Sequence, residues 1–313
     1  MPPGTDAGDA APIHVRALAE DEWPALRTAV NQVFRPAGGD LTHDSPLLFA
    51  ATNRENLRVI VDTAPNVGGA AGGPRVIAHA GFITRDALVM RRPVRIACIG
   101  AVFTAPDRRR QGLATLVLRD ALARARRGTD LVMASGDRDL YRRQGLEPVP
   151  PLARFRMTPV QTPPAGLTIR DAAEADLFAM AALHDGEDVH FLRSPAEWRA
   201  LWSAGLLVDA PAVFSVVERG DRVVAYLVAQ RAGIRADGSE RPRRILEVAG
   251  DRAAVADAAP LLAEELVIPR YDAALITACE RKGWVRTTRQ FLITAEALTA
   301  QIVVIPWYGL DYL

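Results

Sequence analysis

A pattern that occurs twice in the chain constrains its fold more than any other feature. In residues 13–23, a mostly apolar segment ends at an arginine. A short spacer, an Ala-Glu pair and the start of a helix with apolar residues at helical spacing follow it. Residues 167–177 repeat that order. Because the two copies lie about one domain's length apart, the repeat predicts two similar domains. The 313 residues of the chain are enough for both.

The boundary between the two domains is predicted in the segment 157–166. Four of its ten residues are proline or glycine and none is charged, which is typical of a linker. We therefore expect a first domain over 12–158 and a second domain over 167–313. Residues 1–11 are rich in Pro, Gly, Ala and Asp, and we expect them to form a disordered tail.

Strands and helices alternate along the first half, which predicts the α/β (α+β) class. A strand is expected over 94–104, followed by a helix over 112–127 with apolar residues along one face. A short buried strand over 130–135 comes next. We expect a final strand pair, running through to Met157, to complete this half.

Composition limits the classes of protein to consider. Hydrophobic residues make up 49% and charged residues 24% of the chain, and the net charge is +1, so there is no basic excess for nucleic acid or an anionic membrane. No apolar run approaches the roughly 20 residues of a membrane helix, and the N-terminus does not resemble a secretory signal. Cys98 and Cys279 lack the spacing of a metal site, so we expect buried free thiols. These features predict a cytoplasmic protein that binds no metal.

The stretch 99–115 carries the most chemical information. It runs from an apolar strand through an arginine-rich turn directly into a helix, and Gly112 and Ala114 are small where backbone must approach a partner closely. The first N–H groups of a helix have no intrahelical partner, so this turn offers a site for a phosphate or a pyrophosphate. The alternative is an ordinary strand–turn–helix whose arginines are solvated.

This stretch resembles motif A of the GNAT N-acetyltransferase superfamily, whose signature is Arg/Gln-x-x-Gly-x-Gly/Ala. Arg109, Gly112 and Ala114 match it. The run 139–146, with Tyr141, is similar to the family's Phe-Tyr-x-x-x-Gly-Phe segment. The resemblance implies two tandem GNAT-like domains, each with a mixed, mostly antiparallel central sheet flanked by helices.

The resemblance also implies a role for each matched residue. The backbone of the strand edge would pair with the pantetheine arm at Val102, Phe103 and Thr104. The turn and the helix start would bind the pyrophosphate of acetyl-CoA through Arg109, Arg110, Gln111, Gly112, Leu113, Ala114 and Thr115. Tyr141 would donate a proton to the departing thiolate as general acid; a structural tyrosine is the alternative.

The activity implied is acetyl-CoA-dependent N-acetylation, in which an amine of a small molecule or peptide attacks the thioester directly. A non-catalytic acyl-CoA-binding sensor or interaction module is the rival interpretation. The sequence does not assign the base that would remove a proton from the attacking amine. The candidates are Glu55, His79 and Asp86, and each can also be interpreted as a solvated or structural residue. Ser135 could bind ligand or cap the next helix. No nucleic-acid or membrane partner is expected, and the oligomeric state, a homo-oligomer included, is left open.

The second half lacks the coenzyme motif. Its corresponding strand runs into Ala249-Gly250-Asp251-Arg252, without the Arg-x-x-Gly-x-Ala turn. It therefore resembles a degenerate GNAT-like domain that covers the first half and shapes the acceptor pocket. Tandem organisation is similar to that of mycothiol synthases and of enhanced-intracellular-survival acetyltransferases. The aromatic tail 305–313 is expected to dock, and its reaching Tyr141 is a hypothesis.

Overall fold

The computed structural model describes residues 13–62, 73–234, 238–300, 302, 304–306 and 309–311. The expected tail 1–11 lies outside the described residues. The first half contributes helices α1 (Trp23–Phe34), α2 (Leu41–Asp44), α3 (Leu113–Ala125) and α4 (Asp139–Arg142). Its strands are β1 (Arg16–Ala17), β2 (Leu57–Asp62), β3 (Arg75–Val89), β4 (Arg92–Thr104), β5 (Leu131–Ser135), β6 (Glu147–Pro148) and β7 (Leu152–Arg156).

The second half contributes helices α5 (Leu177–Asp185), α6 (Pro195–Ala204), α7 (Arg252–Leu262) and α8 (Ala273–Arg281). Its strands are β8 (Thr168–Asp171), β9 (Val189–Phe191), β10 (Leu206–Leu207), β11 (Ala210–Arg219), β12 (Arg222–Gln230), β13 (Gly233–Ile234), β14 (Glu240–Arg241), β15 (Arg244–Gly250), β16 (Glu265–Ile268), β17 (Val285–Arg289) and β18 (Ile293–Ala297). Among the described helices, none is long and apolar enough to cross a membrane.

The repeated sequence pattern forms the same local structure in both halves. Arg16 makes a forked ion pair with Glu22 at the start of α1, and Arg170 makes one with Asp176 at the start of α5. Each carboxylate also accepts a hydrogen bond from the backbone N–H three residues earlier, at 2.9 and 2.7 Å. A carboxylate at a helix start satisfies donors that the helix leaves unpaired, and this explains the recurring Arg and acidic positions.

Two eight-stranded sheets form the frame of the molecule. The first has the order β1-β2-β3-β4-β5-β18-β6, with β9 also on β3, and the second has the order β10-β11-β12-β15-β16-β7-β17, with β8 on β11. Each contains one parallel pair in the described chain, β4 with β5 and β15 with β16, and is otherwise antiparallel. The prediction of two mixed, mostly antiparallel sheets flanked by helices is confirmed.

The two halves exchange strands: β9 and β18 of the second half join the first sheet, and β7 of the first half joins the second. β18 lies between β5 and β6, with Ile293 opposite Ser135, whereas β7 lies between β16 and β17, with Phe155 opposite Leu266. The prediction that the first half keeps both of its last strands is therefore wrong for β7. Phe155 is fully buried in the core of the second half, which holds the strand there. A cut between 158 and 167 does not separate the sheets.

The two faces of the first sheet pack against different partners. α3 places Val117, Leu118, Ala121 and Leu122 against one face, in the same cluster as Tyr141. Around β4 and β5 the other face packs against the second half, in a cluster that contains the thiol of Cys98 and crosses between the sheets. Both cysteines are buried and free, as expected.

A buried group of four charges joins the halves, and we call it the interdomain ion cluster: Arg85, Arg193, Glu247 and Asp311. Arg85 Nη1 lies 2.8 Å from Asp311 Oδ1, and Arg193 Nη1 lies 2.7 Å from Glu247 Oε1. Arg193 also pairs with Asp311. Burial alone would raise the pKa of Asp311, but Arg193 and Arg85 outweigh burial and hold that pKa at about 2. The tail is thus fixed at Asp311 between the two sheets.

Candidate active site

The turn between β4 and α3 leaves the start of the helix uncapped. Gly112 precedes the helix with φ +74°, a conformation that favours glycine, and no side chain caps the helix there. The first helical hydrogen bond runs from Leu116 N–H to the Gly112 carbonyl at 3.1 Å. The N–H groups of the three residues between them, Leu113, Ala114 and Thr115, are the orphan donors of the helix end.

The arginines of the turn fall into two groups. Arg108 Nη1 donates to Asp62 Oδ2 at 2.6 Å, so this guanidinium is fixed to the end of β2. Arg109 and Arg110 are exposed, and neither forms an ion pair within the described chain. Arg110 also has φ +65°, uncommon outside glycine. Two guanidinium groups are therefore free to meet phosphate oxygens beside the uncapped helix, with Gln111 exposed between them and Gly112.

A gap opens where β4 and β5 part. Their parallel ladder ends at the pair Ile99–Ala134, although β4 continues to Thr104. Ala105 N–H donates to the Ile77 carbonyl of β3, so alternation turns the backbone groups of Val102 and Thr104 towards the gap. A bound chain could pair with them as an added strand.

Phe103 is placed differently from its neighbours. It lies opposite His79 of β3, so its backbone faces β3. Its ring is buried, at 6.2 Å from the ring of Phe34. The structure thus brings Val102 and Thr104 to the gap and uses Phe103 to anchor the strand in the core around α1.

His79 holds a bulge in β4 next to the gap. Its Nδ1 lies 2.8 Å from the carbonyl oxygen of Ala101, a residue with φ +53°, and the register between β3 and β4 shifts here. The ring is fully buried between Phe49 and Phe103. Burial lowers the pKa of His79 to about 4, so the ring is neutral at pH 7 and Nδ1–H donates. This geometry suits a positioning role and not the removal of a proton from an incoming amine.

Tyr141 lies on the α3 side of the first sheet. Its ring is 5% exposed and packs with Ala134 and Leu146. Burial raises its pKa to about 12, partly offset by Arg138, so the phenol keeps its proton at neutral pH. A Cβ at Gly136, where φ is +151°, would come within 2.5 Å of the tyrosine ring. Sequence reasoning missed Gly136, although a glycine directly after a strand was the available signal.

Of the remaining candidate residues, Glu55 and Asp86 lie away from the gap, whereas Ser135 bridges it with a hydrogen bond. Glu55 is largely exposed and lies 3.6 Å from Arg54. Asp86 is exposed opposite Arg95, five positions along β3 from Gly81, or roughly 16 Å at the usual rise per residue. Ser135 Oγ donates to the Ile99 carbonyl at 3.5 Å and does not cap α4, whose capping position is Arg138.

The tail packs on the face of the first sheet opposite Tyr141. Leu310 joins the cluster shared between the halves, and its N–H donates to Glu247 Oε2 at 3.0 Å. The expectation of docking is met at Gly309–Asp311. Residues 312–313, on which the hypothesis of contact with Tyr141 depends, lie outside the described residues.

The corresponding helix start in the second half is occupied by its own side chain. Asp251 caps α7, and its Oδ1 accepts from Ala253 N–H at 2.9 Å and from Ala254 N–H at 3.1 Å. Arg252 is held by Glu187 and by Asp272, at 3.0 Å from the latter. Within the described chain no cluster of side chains could hold a metal. The start of α7 therefore has two of its N–H donors already satisfied, unlike the start of α3.

A comparison with known protein families finds its match within the first half of the chain. Residues 14–149 match the family model described as an acetyltransferase (GNAT) domain. No match was found among curated proteins.

Several solved structures share the fold over nearly the whole chain. A GCN5-related N-acetyltransferase from Anabaena variabilis is 16% identical, with 92% of this chain and 73% of that chain covered at a TM-score of 0.65. Eis1 from Mycobacterium abscessus is 16% identical, with 90% and 73% covered at 0.58. N-myristoyltransferase from Saccharomyces cerevisiae, with bound myristoyl-CoA, is 10% identical, with 91% and 82% covered at 0.54.

Proposed function

We propose that this chain, whose residues 14–149 match the acetyltransferase (GNAT) domain model, is an N-acetyltransferase of the GNAT superfamily that uses acetyl-CoA to acylate an amine of a small molecule or peptide. One observation carries the proposal: the uncapped start of α3 stands at the end of the gap between β4 and β5, with a buried, protonated Tyr141 packed beside that gap. The fold neighbour with bound myristoyl-CoA supports acyl-CoA as the donor class.

Each part of the coenzyme has a counterpart in the site. The pyrophosphate would accept hydrogen bonds from the first N–H groups of α3 and from Arg109 and Arg110. The pantetheine arm would pair with Val102 and Thr104 along the open edge of β4. Its thioester would then lie at the bulge that His79 and Ala101 form.

Transfer proceeds by direct attack. The neutral amine nitrogen forms a bond to the thioester carbon, giving a tetrahedral intermediate. The C–S bond then breaks, and Tyr141 Oη donates its proton to the departing thiolate as general acid. The proton lost by the attacking nitrogen leaves through water, and the phenolate is reprotonated before the next turnover.

The test follows free thiol during incubation of the protein with acetyl-CoA and a panel of amines. We expect amine-dependent thiol release, and we expect Tyr141→Phe to lower kcat on the order of 10²-fold with KM for acetyl-CoA little changed. In the parent, kcat should fall at alkaline pH, where the phenol of Tyr141 loses its proton. This fall should be absent in Tyr141→Phe, and that difference distinguishes acid catalysis from a packing role. Tight acetyl-CoA binding without turnover of any amine, and no effect of Tyr141→Phe, would favour the sensor.

A further inference from the structure

An apolar cavity lies between the two halves, on the face of the first sheet opposite Tyr141. Its volume is about 280 Å³, compared with roughly 150 Å³ for an apolar cavity that holds benzene. Both halves and the tail line it, and we call it the proline-walled cavity. The residues that define it here are Met133, Val149, Pro269, Phe291, Ile293 and Ile305.

The register of the strands places this cavity beside the gap. Ile293 of β18 lies opposite Ser135, the last residue of β5, and Met133 lies two positions earlier on the same face. The β4–β5 ladder ends at Ala134, directly between these positions. Met133 is therefore within roughly 7 Å along the strand from the point where the gap begins.

The chemistry of the walls selects what can bind there. No aspartate or glutamate is among the described residues that line the cavity, and its one charged residue, the exposed Arg270, is positive. Arg270 would repel a polycationic acceptor. Apolar walls favour a group whose burial removes carbon surface from water.

From this placement we propose that the proline-walled cavity is an acceptor subsite and that the acceptor is an amine attached to an aromatic or aliphatic group. The apolar group would occupy the cavity and hold the amine at the gap, opposite Tyr141. The cavity is not fully enclosed. The inference rests on the proposed N-acetyltransferase function and adds the substrate class.

The experiment compares 2-phenylethylamine with ethanolamine and spermidine in the thiol-release assay. The cavity is filled from two independent sides by Val149→Trp and by Ile305→Trp. Leu292→Trp is the matched control, since Leu292 is 56% exposed and adjoins two cavity residues in sequence. We expect the parent to prefer 2-phenylethylamine, and both filling variants to lose on the order of tenfold or more in kcat/KM for that amine. For the two filling variants, kcat/KM for ethanolamine and KM for acetyl-CoA should stay within twofold of the parent's values. For Leu292→Trp, kcat/KM for each amine and KM for acetyl-CoA should all stay within twofold of the parent's values.

Three outcomes would overturn the proposal. One is a parent that turns over spermidine or ethanolamine as well as 2-phenylethylamine. Another is an equal loss for all amines in the filling variants. The third is selective loss of hexanoyl-CoA turnover in those variants, with acetyl-CoA turnover of every amine unchanged, which would assign the cavity to the acyl chain.

Ligand-observed NMR of 2-phenylethylamine with the CoA-loaded protein separates this inference from the proposed function. If the parent binds 2-phenylethylamine but turns over no amine, and Val149→Trp abolishes the binding, the amine-binding cavity is supported and the transferase function is rejected. If the parent turns over polar amines but does not bind 2-phenylethylamine, the transferase function is supported and the cavity proposal is rejected.

Discussion

The starts of α3 and α7 occupy equivalent positions in the two halves, each after the strand that forms the parallel pair. The residue before α3 is Gly112, which has no side chain to offer, and the residue before α7 is Asp251, whose carboxylate accepts from two N–H groups. Equivalent places in the fold therefore differ in backbone as well as side chain: Gly112 has φ +74° and leaves the helix start uncapped, whereas Asp251 is extended, with φ −62°, and caps its own helix. The shared fold does not by itself leave helix-end N–H groups open to an anion; the residue before the helix decides whether they are open.

The side chains around the two helix ends follow the same division. Arg109 and Arg110 form no ion pair within the described chain, whereas Arg252 is 3.0 Å from Asp272 and also paired with Glu187. Burial would lower the pKa of Arg252, but the hydrogen-bonded carboxylate of Glu187 and the charge of Asp272 outweigh burial and raise that pKa above its usual range. In the second half the groups around the helix start are thus held by contacts within the chain.

The largest effect is expected from Asp311→Asn, which tests whether the interdomain ion cluster serves stability alone. Loss of one partner leaves Arg85 and Arg193 buried without full compensation, at a cost of about 3–5 kcal/mol in the free energy of unfolding. Urea denaturation measures this. The exposed pair of Asp188 with Arg91, at 2.6 Å, supplies the control Asp188→Asn, with a loss of about 1 kcal/mol or less.

The pH dependence of this difference has a defined sign. The pKa of Asp311 is held at about 2, below its unfolded value of roughly 3.9, so its contribution is fully present above about pH 5. It is lost as the pH falls from about 5 through 2, and the parent and Asp311→Asn should converge below about pH 2. Affinity for CoA at pH 7 should be equal in the two proteins; a weaker affinity in the variant would show that coenzyme binding is not confined to the first half.

The next effect tests the capping difference itself. Gly112→Asp places a carboxylate where the second half has one, so we expect affinity for CoA to fall on the order of 10²-fold through lost N–H donors and charge repulsion. Gly128→Asp is the control, because Gly128 has a similar φ of +70° at the other end of α3 and, like Gly112, no atom within 4 Å of an added Cβ. Calorimetric titration with CoA measures both. Equal losses in the two variants would attribute the effect to backbone strain.

Local signals explain how much of the site could be predicted. The turn at Gly112, the position of Tyr141 and the missing turn before Asp251 are all features of a few consecutive residues, and local sequence determines helix ends and turns strongly. The repeated Arg and acidic positions were visible for the same reason. Two similar α/β halves followed from these signals.

Long-range pairing explains what could not be predicted. β7 and β18 are both short strands of five residues, and nothing within either strand specifies which sheet it joins. The exchange depends on partners more than a hundred residues away, such as Ile293 with Ser135. The contact of His79 with Ala101 likewise depends on a bulge that only the paired strands define.

The smallest effect comes from the opposite substitution, Asp251→Ala, which removes the cap of α7. We expect a loss of about 1 kcal/mol in the free energy of unfolding, since two N–H groups lose their acceptor. Urea denaturation measures the loss, and Asp221→Ala, in the turn between β11 and β12, is a control with no expected change. Calorimetry should detect no second site for CoA, because Arg252 stays held by Glu187 and Asp272. A second binding event would show that the cap alone, and not the surrounding ion pairs, keeps coenzyme out of the second half.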